Sequence, residues 1–143
     1  MVAADARMVI DDNALFSSNN RIDFALRREL VHKPGSQFAY DGGTTEILGG
    51  IIKEKTGRFA DAFAKQYLFA PLDITNYGWD IHKQNGYPSM AGALGLLPRD
   101  MAKIGLLVLN KGCFDKQQIV SKEWIEESTA PQIATHIDGD HYG

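Results

Sequence analysis

Cysteine is nearly absent: Cys113 is the one thiol in 143 residues, so neither an internal disulfide nor a thiolate metal site is open to the chain. Following Lys111-Gly112, it reads as a small apolar filler rather than a reactive group. No apolar run approaches the length that spans a bilayer, so no membrane partner is expected. The opening MVAADARMVIDD lacks the basic start and long apolar core of a signal peptide, and a leader is not expected there. Positive charge is modest too. Fifteen Lys and Arg against 18 Asp and Glu leave a formal net charge of −3, without the basic field that nucleic acid requires. Internal repeats, low-complexity tracts and clear interdomain linkers are also missing. What remains is ordinary globular composition, 44% hydrophobic and 23% charged, in a length that suits one domain with a real core.

Periodicity predicts a mainly α domain with almost no strand. Residues 1–18 show no sustained pattern and are expected to form a partly ordered segment ahead of a helical domain over 19–134. Residues 135–143 follow as a tail. Asn19 or Asn20 can cap a helix whose Ile22, Ala25, Leu26 and Leu30 share a face, ended by Pro34-Gly35. Thr44 or Thr45 can cap a second helix with a buried stripe of Ile47, Leu48, Ile51 and Ile52, closed by Gly57. A third is expected from about Phe59 to Leu68, with Phe59, Phe63 and Tyr67 stacked at i, i+4 spacing and Pro71 as the stop. Residues 73–92 read as irregular. Pro98 fits the first turn of a helix that buries Met101, Ile104, Leu107 and Val108. Ile119-Val120 reads as a short extended piece, and Ser121 as the cap of a last helix carrying Trp124 and Ile125.

The stretch PGSQFAYDGGTTEILGGIIKEKTG, Pro34 to Gly57, sets Tyr40 on a turn that opens into an apolar helix. It resembles the segment carrying the Tyr-x-Asn motif of the serine β-lactamase and penicillin-binding-protein superfamily, in its esterase-like, class C-like branch. Two later blocks occur in matching order. Ala91 to Gly105 resembles the family's AGGLxxTPRDLAKFG, and Glu123-Trp124 through Ser128-Thr129-Ala130-Pro131-Gln132 resembles its EW…STxPQ. The resemblance covers about residues 20–133, roughly the middle third of a complete member. It implies the helical lobe of that α/β fold, with little or no sheet of its own, packed in the intact protein against a separate α/β lobe.

The resemblance makes Tyr40 the catalytic candidate, the residue that helps activate the nucleophilic serine and relays protons. A phenol titrates near 10, so such a base needs nearby positive charge, and Asp41 beside it would oppose the anion. Gly42 stands where the motif has Asn, which favours ester or amide substrates over β-lactams. Two elements of the family machinery are not found in these 143 residues. No serine has Lys three positions on, and Lys55-Thr56-Gly57, which spells the third motif, falls at a helix end rather than on a strand. Lys55 there reads as a cation favouring the helix C-terminus and Gly57 as its cap.

Ser17, Ser18, Ser36, Ser89, Ser121 and Ser128 also lack a nucleophile elbow, and no motif supports a triad through His32 or His82. The run His136-Ile137-Asp138-Gly139-Asp140-His141 matches neither zinc-helix nor EF-hand spacing and reads as a solvated end. Arg99 and Asp100 read as first-turn residues of the Pro98 helix, with Leu97 at the position of the usual Thr cap.

The expectation is therefore a fragment of an acyl-enzyme serine hydrolase, inactive alone, using no cofactor or metal. Its partners would be a small ester or amide substrate and the missing α/β lobe, with a homodimer through exposed apolar surface as a further option. A non-catalytic helical binding module derived from the same lobe is the alternative. Export to the periplasm or medium is suggested by the family alone.

Overall fold

The computed structural model describes residues 8–29, 32–135 and 140–142. The elements are mainly helical: α1 (Met8–Ser17), α2 (Arg21–Leu26), α3 (Gly42–Thr56), α4 (Ala60–Ala64), α5 (Pro98–Leu109) and α6 (Lys122–Ser128). Strands contribute three antiparallel ribbons, β1 (Tyr77–Trp79) with β2 (Leu94–Leu96), β3 (Cys113–Phe114) with β4 (Gln117–Gln118), and β5 (Ile133–Ala134) with β6 (His141–Tyr142). No helix among the described residues is long and apolar enough to cross a membrane.

Capping chemistry sets most helix ends. Asn20 accepts the Asp23 amide at the start of α2, and Ser121 accepts the Trp124 amide at the start of α6. Gly57 closes α3 with φ of 69°, its amide donating to the Lys53 carbonyl. Pro98 opens α5, where Leu97 offers no side-chain bond. Asp100, buried in the first turn of α5, pairs instead with Lys103 at 3.0 Å. The third helix arrives as α4, which widens into a π-helical turn over Lys65–Phe69 before the chain reaches Pro71.

That widened turn delivers Phe69 to the main core, where Phe69, Leu72, Ile74 and Leu107 lie at 0–2% exposure. Tyr77 and Trp79 of β1 pack on the Phe69 ring, at centroid separations of 4.6 and 6.5 Å. Burying each of these large side chains contributes roughly 1.5–3 kcal/mol, so this cluster anchors the α4, β1–β2 and α5 half of the molecule.

Within residues 1–18, expected to be partly ordered, Met8–Ser17 forms α1, and its Leu15 is fully buried. Several other elements differ from the sequence expectations. Part of 73–92 is ordered: β1 pairs with β2 through Tyr77–Leu96 and Trp79–Leu94, and the Trp79 indole donates to the Ser89 carbonyl at 2.7 Å. Phe59 leaves the expected stack. It meets Tyr87 edge-on at 5.0 Å and lies under Lys53, while Phe63 and Tyr67 do pair at 4.7 Å. The extended piece falls at Gln117–Gln118 rather than Ile119-Val120. On α5, Leu107 is buried, but Met101 is 62% exposed and Val108 faces outward as well.

The largest correction concerns α3. Its cap is Asp41, not Thr44 or Thr45, and its buried face is Gly42, Gly43, Glu46 and Gly49. Leu48 and Ile51, expected inside, are each about half exposed. The glycine side lets neighbours approach closely: a methyl group on Gly50 would sit 3.2 Å from Ile22 of α2, and one on Gly49 only 2.8 Å from Met90. Backbone proximity has outcompeted side-chain burial. Leu30 and the tail residues 136–139 lie outside the described residues.

Candidate active site

Tyr40 ends a short extended approach in which Phe38 stacks on Tyr142 at 5.1 Å. The tyrosine is 66% exposed. Asp41 then fixes the entry into α3. Its backbone is extended (φ −146°, ψ 115°), and its carboxylate accepts the amides of Gly43 at 2.9 Å and Thr44 at 3.0 Å, with the Thr44 hydroxyl at 2.5 Å. The Arg28 guanidinium donates to the same carboxylate at 2.7 Å, with 16% and 8% side-chain exposure for Arg28 and Asp41. The anion that the sequence places beside the phenol is thus matched by a cation and by the helix N-terminus.

Gly42, at the Asn position of the motif, is buried on the inner face of α3 and offers no side chain to a substrate. Lys55, Thr56 and Gly57 lie at the end of α3, fifteen or more positions past Tyr40 and on no strand. Among the described residues the histidine and serine side chains do not meet as a triad. The buried ring of His82 uses both nitrogens, Nε2 at 3.1 Å from the Ser18 carbonyl oxygen and Nδ1 at 3.0 Å from Asn85 Oδ1. The Ser18 hydroxyl donates to the Leu15 carbonyl, and Ser121 is spent as a cap. Neither is poised as a nucleophile.

A second polar group is buried on α3, and the sequence reading overlooked it. Glu46, 2% exposed, lies 3.5 Å from Arg21 of α2, 3.4 Å from the Ser89 hydroxyl and 3.3 Å from the Met90 amide. Arg21 also donates to Ser89 at 3.1 Å. This network ties α2, α3 and the 89–90 segment together. Its signal was available in the spacing of Gly42, Gly43, Glu46, Gly49 and Gly50, a small-residue helix face that carries one carboxylate. Among the described residues no group of three or more His, Cys, Asp or Glu side chains is arranged to hold a metal ion.

The family model described as Beta-lactamase matches residues 4–141. A 6-aminohexanoate-dimer hydrolase of Paenarthrobacter ureafaciens is 30% identical over 95 residues, 66% of this chain and 24% of the relative. A Bacteroides dorei protein described as a beta-lactamase superposes with a TM-score of 0.71 at 18% identity, over 98% of this chain and 42% of that one. The octameric penicillin-binding protein homologue of Pyrococcus abyssi gives 0.67 at 23% identity, over 85% of this chain and 33% of that one. The chain spans about a quarter of the curated relative's length. The mainly α fold agrees with these matches, and the chain belongs to the beta-lactamase family.

Proposed function

We propose that this chain is the helical lobe of a serine hydrolase that cleaves an ester or amide through an acyl-enzyme, with Tyr40 as the base and proton relay. The observation that carries the reading is the placement of Tyr40, an accessible phenol at the mouth of α3, in a chain of this family. The relative named as a 6-aminohexanoate-dimer hydrolase supports a substrate other than a β-lactam, as does the missing amide at Gly42. The serine nucleophile, its lysine and the strand motif would come from polypeptide outside these 143 residues.

Exposed apolar side chains give that polypeptide a surface to pack on. Leu97, Met101 and Leu109 of the α5 region are 48%, 62% and 77% exposed, and Leu48 and Ile51 of α3 add to the accessible apolar area. In this reading the partner is an α/β lobe, and the cleft between the two receives the substrate.

In the mechanism, the phenolate form of Tyr40 takes the serine proton as the oxygen attacks the carbonyl carbon. The proton then passes to the leaving group, and the acyl-enzyme is resolved by water. The 143-residue chain alone supplies neither the nucleophile nor oxyanion donors and should not turn over substrate. Treatment with a fluorophosphonate or a penicillin tests this directly. The complete hydrolase should be labelled on a serine outside the chain, while the chain by itself stays unlabelled. Labelling of the isolated chain would overturn the reading.

A further inference from the structure

We propose that Arg28 and Asp41 form the positioning pair for Tyr40, an inference that rests on the catalytic reading of that tyrosine. The argument starts from how little holds the phenol itself. Among the described residues nothing hydrogen-bonds the Tyr40 hydroxyl or stacks on its ring, and the side chain is 66% exposed. Its placement is therefore inherited from the backbone on which it stands. The next residue is the most tightly held polar group nearby, because the Asp41 carboxylate accepts two backbone amides, the Thr44 hydroxyl and the Arg28 guanidinium.

The three bonds from Gly43 and Thr44 are local and only start the helix. The bond from Arg28 crosses from the end of α2 and fixes where that helix start sits in the molecule. It is charge-assisted, short and largely shielded from water, the circumstances in which one such contact holds geometry best. Two further features fit it to this task. The Arg28 guanidinium rests over the Phe24 ring at 5.2 Å, which limits its freedom. Gly43 leaves it room: a methyl group there would lie 3.1 Å from Arg28 Nη1 and 3.2 Å from Asp41 Oδ1, wedged into the pair. A methyl group at position 43 would therefore press on both members of the pair, and on Ala25 Cβ at 3.1 Å, so that a neighbour must give by a few tenths of an ångström. Arg28 and Asp41 are thus positioning residues, acting on substrate only through Tyr40.

Substitutions separate this role from simple capping. Asn caps a helix about as well as Asp, and with its one oxygen turned to Thr44, Asp41→Asn keeps the Thr44 bonds and presents an amide nitrogen, without the charge, to Arg28. Nuclear magnetic resonance of the 143-residue chain then gives two readouts, amide exchange at Gly43 and Thr44, and the backbone order parameter at Tyr40. Exchange at Thr44 should stay slow in Asp41→Asn while the order parameter at Tyr40 falls. Arg28→Gln should lower it equally, and Arg28→Lys should restore most of it. Unchanged Tyr40 order in Asp41→Asn and Arg28→Gln overturns the proposal. If those two variants do not fold, Gly43→Ala decides by the same readout: Tyr40 order should fall there, and wild-type order overturns the proposal.

In the complete hydrolase, Arg28→Gln should lower kcat roughly 10- to 100-fold, the scale of an ångström-level misplacement, and leave KM within about twofold. Lys at position 28 should recover most of that loss. A fall confined to KM contradicts the positioning role. Should Tyr40→Phe leave kcat unchanged, the catalytic reading fails, while the order parameters still judge the pair on its own.

Discussion

Gly49 of α3 and Met90 of the β1–β2 connection approach so closely that a methyl group at 49 would lie 2.8 Å from Met90 Cγ. Two effects of an alanine there oppose each other. Helix propensity favours it by about 1 kcal/mol, and forcing a methyl into filled space costs about 1–3 kcal/mol. The methionine atom concerned is near the root of its side chain, so steric cost wins. Gly49→Ala should lower stability by about 1 kcal/mol in a urea unfolding curve, and adding Met90→Ala should remove most of the crowding part of that loss.

Gly105 on α5 gives the opposite result for the same chemistry. Nothing lies within 4 Å of where its methyl group would be, and the residue is exposed in a helix interior. Gly105→Ala should therefore stabilise the chain by roughly 0.5–1 kcal/mol, read from its denaturant midpoint. If the α/β lobe covers this face, the same change should weaken association of the two lobes. Stabilisation of the chain without any effect on the complete hydrolase would place Gly105 away from the lobe contact.

The helical character, the Asn20 and Ser121 caps, the Gly57 stop and the first-turn Pro98 were legible because each is decided by chemistry within one turn of the chain. The burial of α3 was not. Its Ile and Leu residues mark an apolar face, yet the opposite glycine face is the one that meets α2 and the 89–90 segment. Choosing between two such faces needs the neighbour, which periodicity does not contain. Tyr40 was proposed through its motif. Arg28 lies 13 positions upstream, and nothing local pairs it with Asp41. Buried Glu46 likewise depends on Arg21 and Ser89, which are distant in sequence.

Glu126 yields a pH prediction away from the site. A hydrogen bond from Lys111 holds its carboxyl below the ordinary value, helped by the charges of Lys111 and Lys122. Because the folded value is depressed, the interaction is fully present above the ordinary carboxylate value and is lost as pH falls through the folded one. A carboxyl-carbon titration should place the Glu126 midpoint below that of a free glutamate. Replacing Lys111 by Met should move it upward, and an unmoved midpoint would show that the Lys111 contact is not formed in solution.

The base assigned to Tyr40 is tested most directly by the steady-state kinetics of Tyr40→Phe in the complete hydrolase. The residue is 66% exposed and its hydroxyl has no hydrogen-bond partner among the described residues, so the substitution should leave the melting temperature nearly unchanged. Loss of a general base should depress kcat/KM by roughly 10²- to 10⁴-fold. Wild-type kcat/KM in that variant would contradict the assignment.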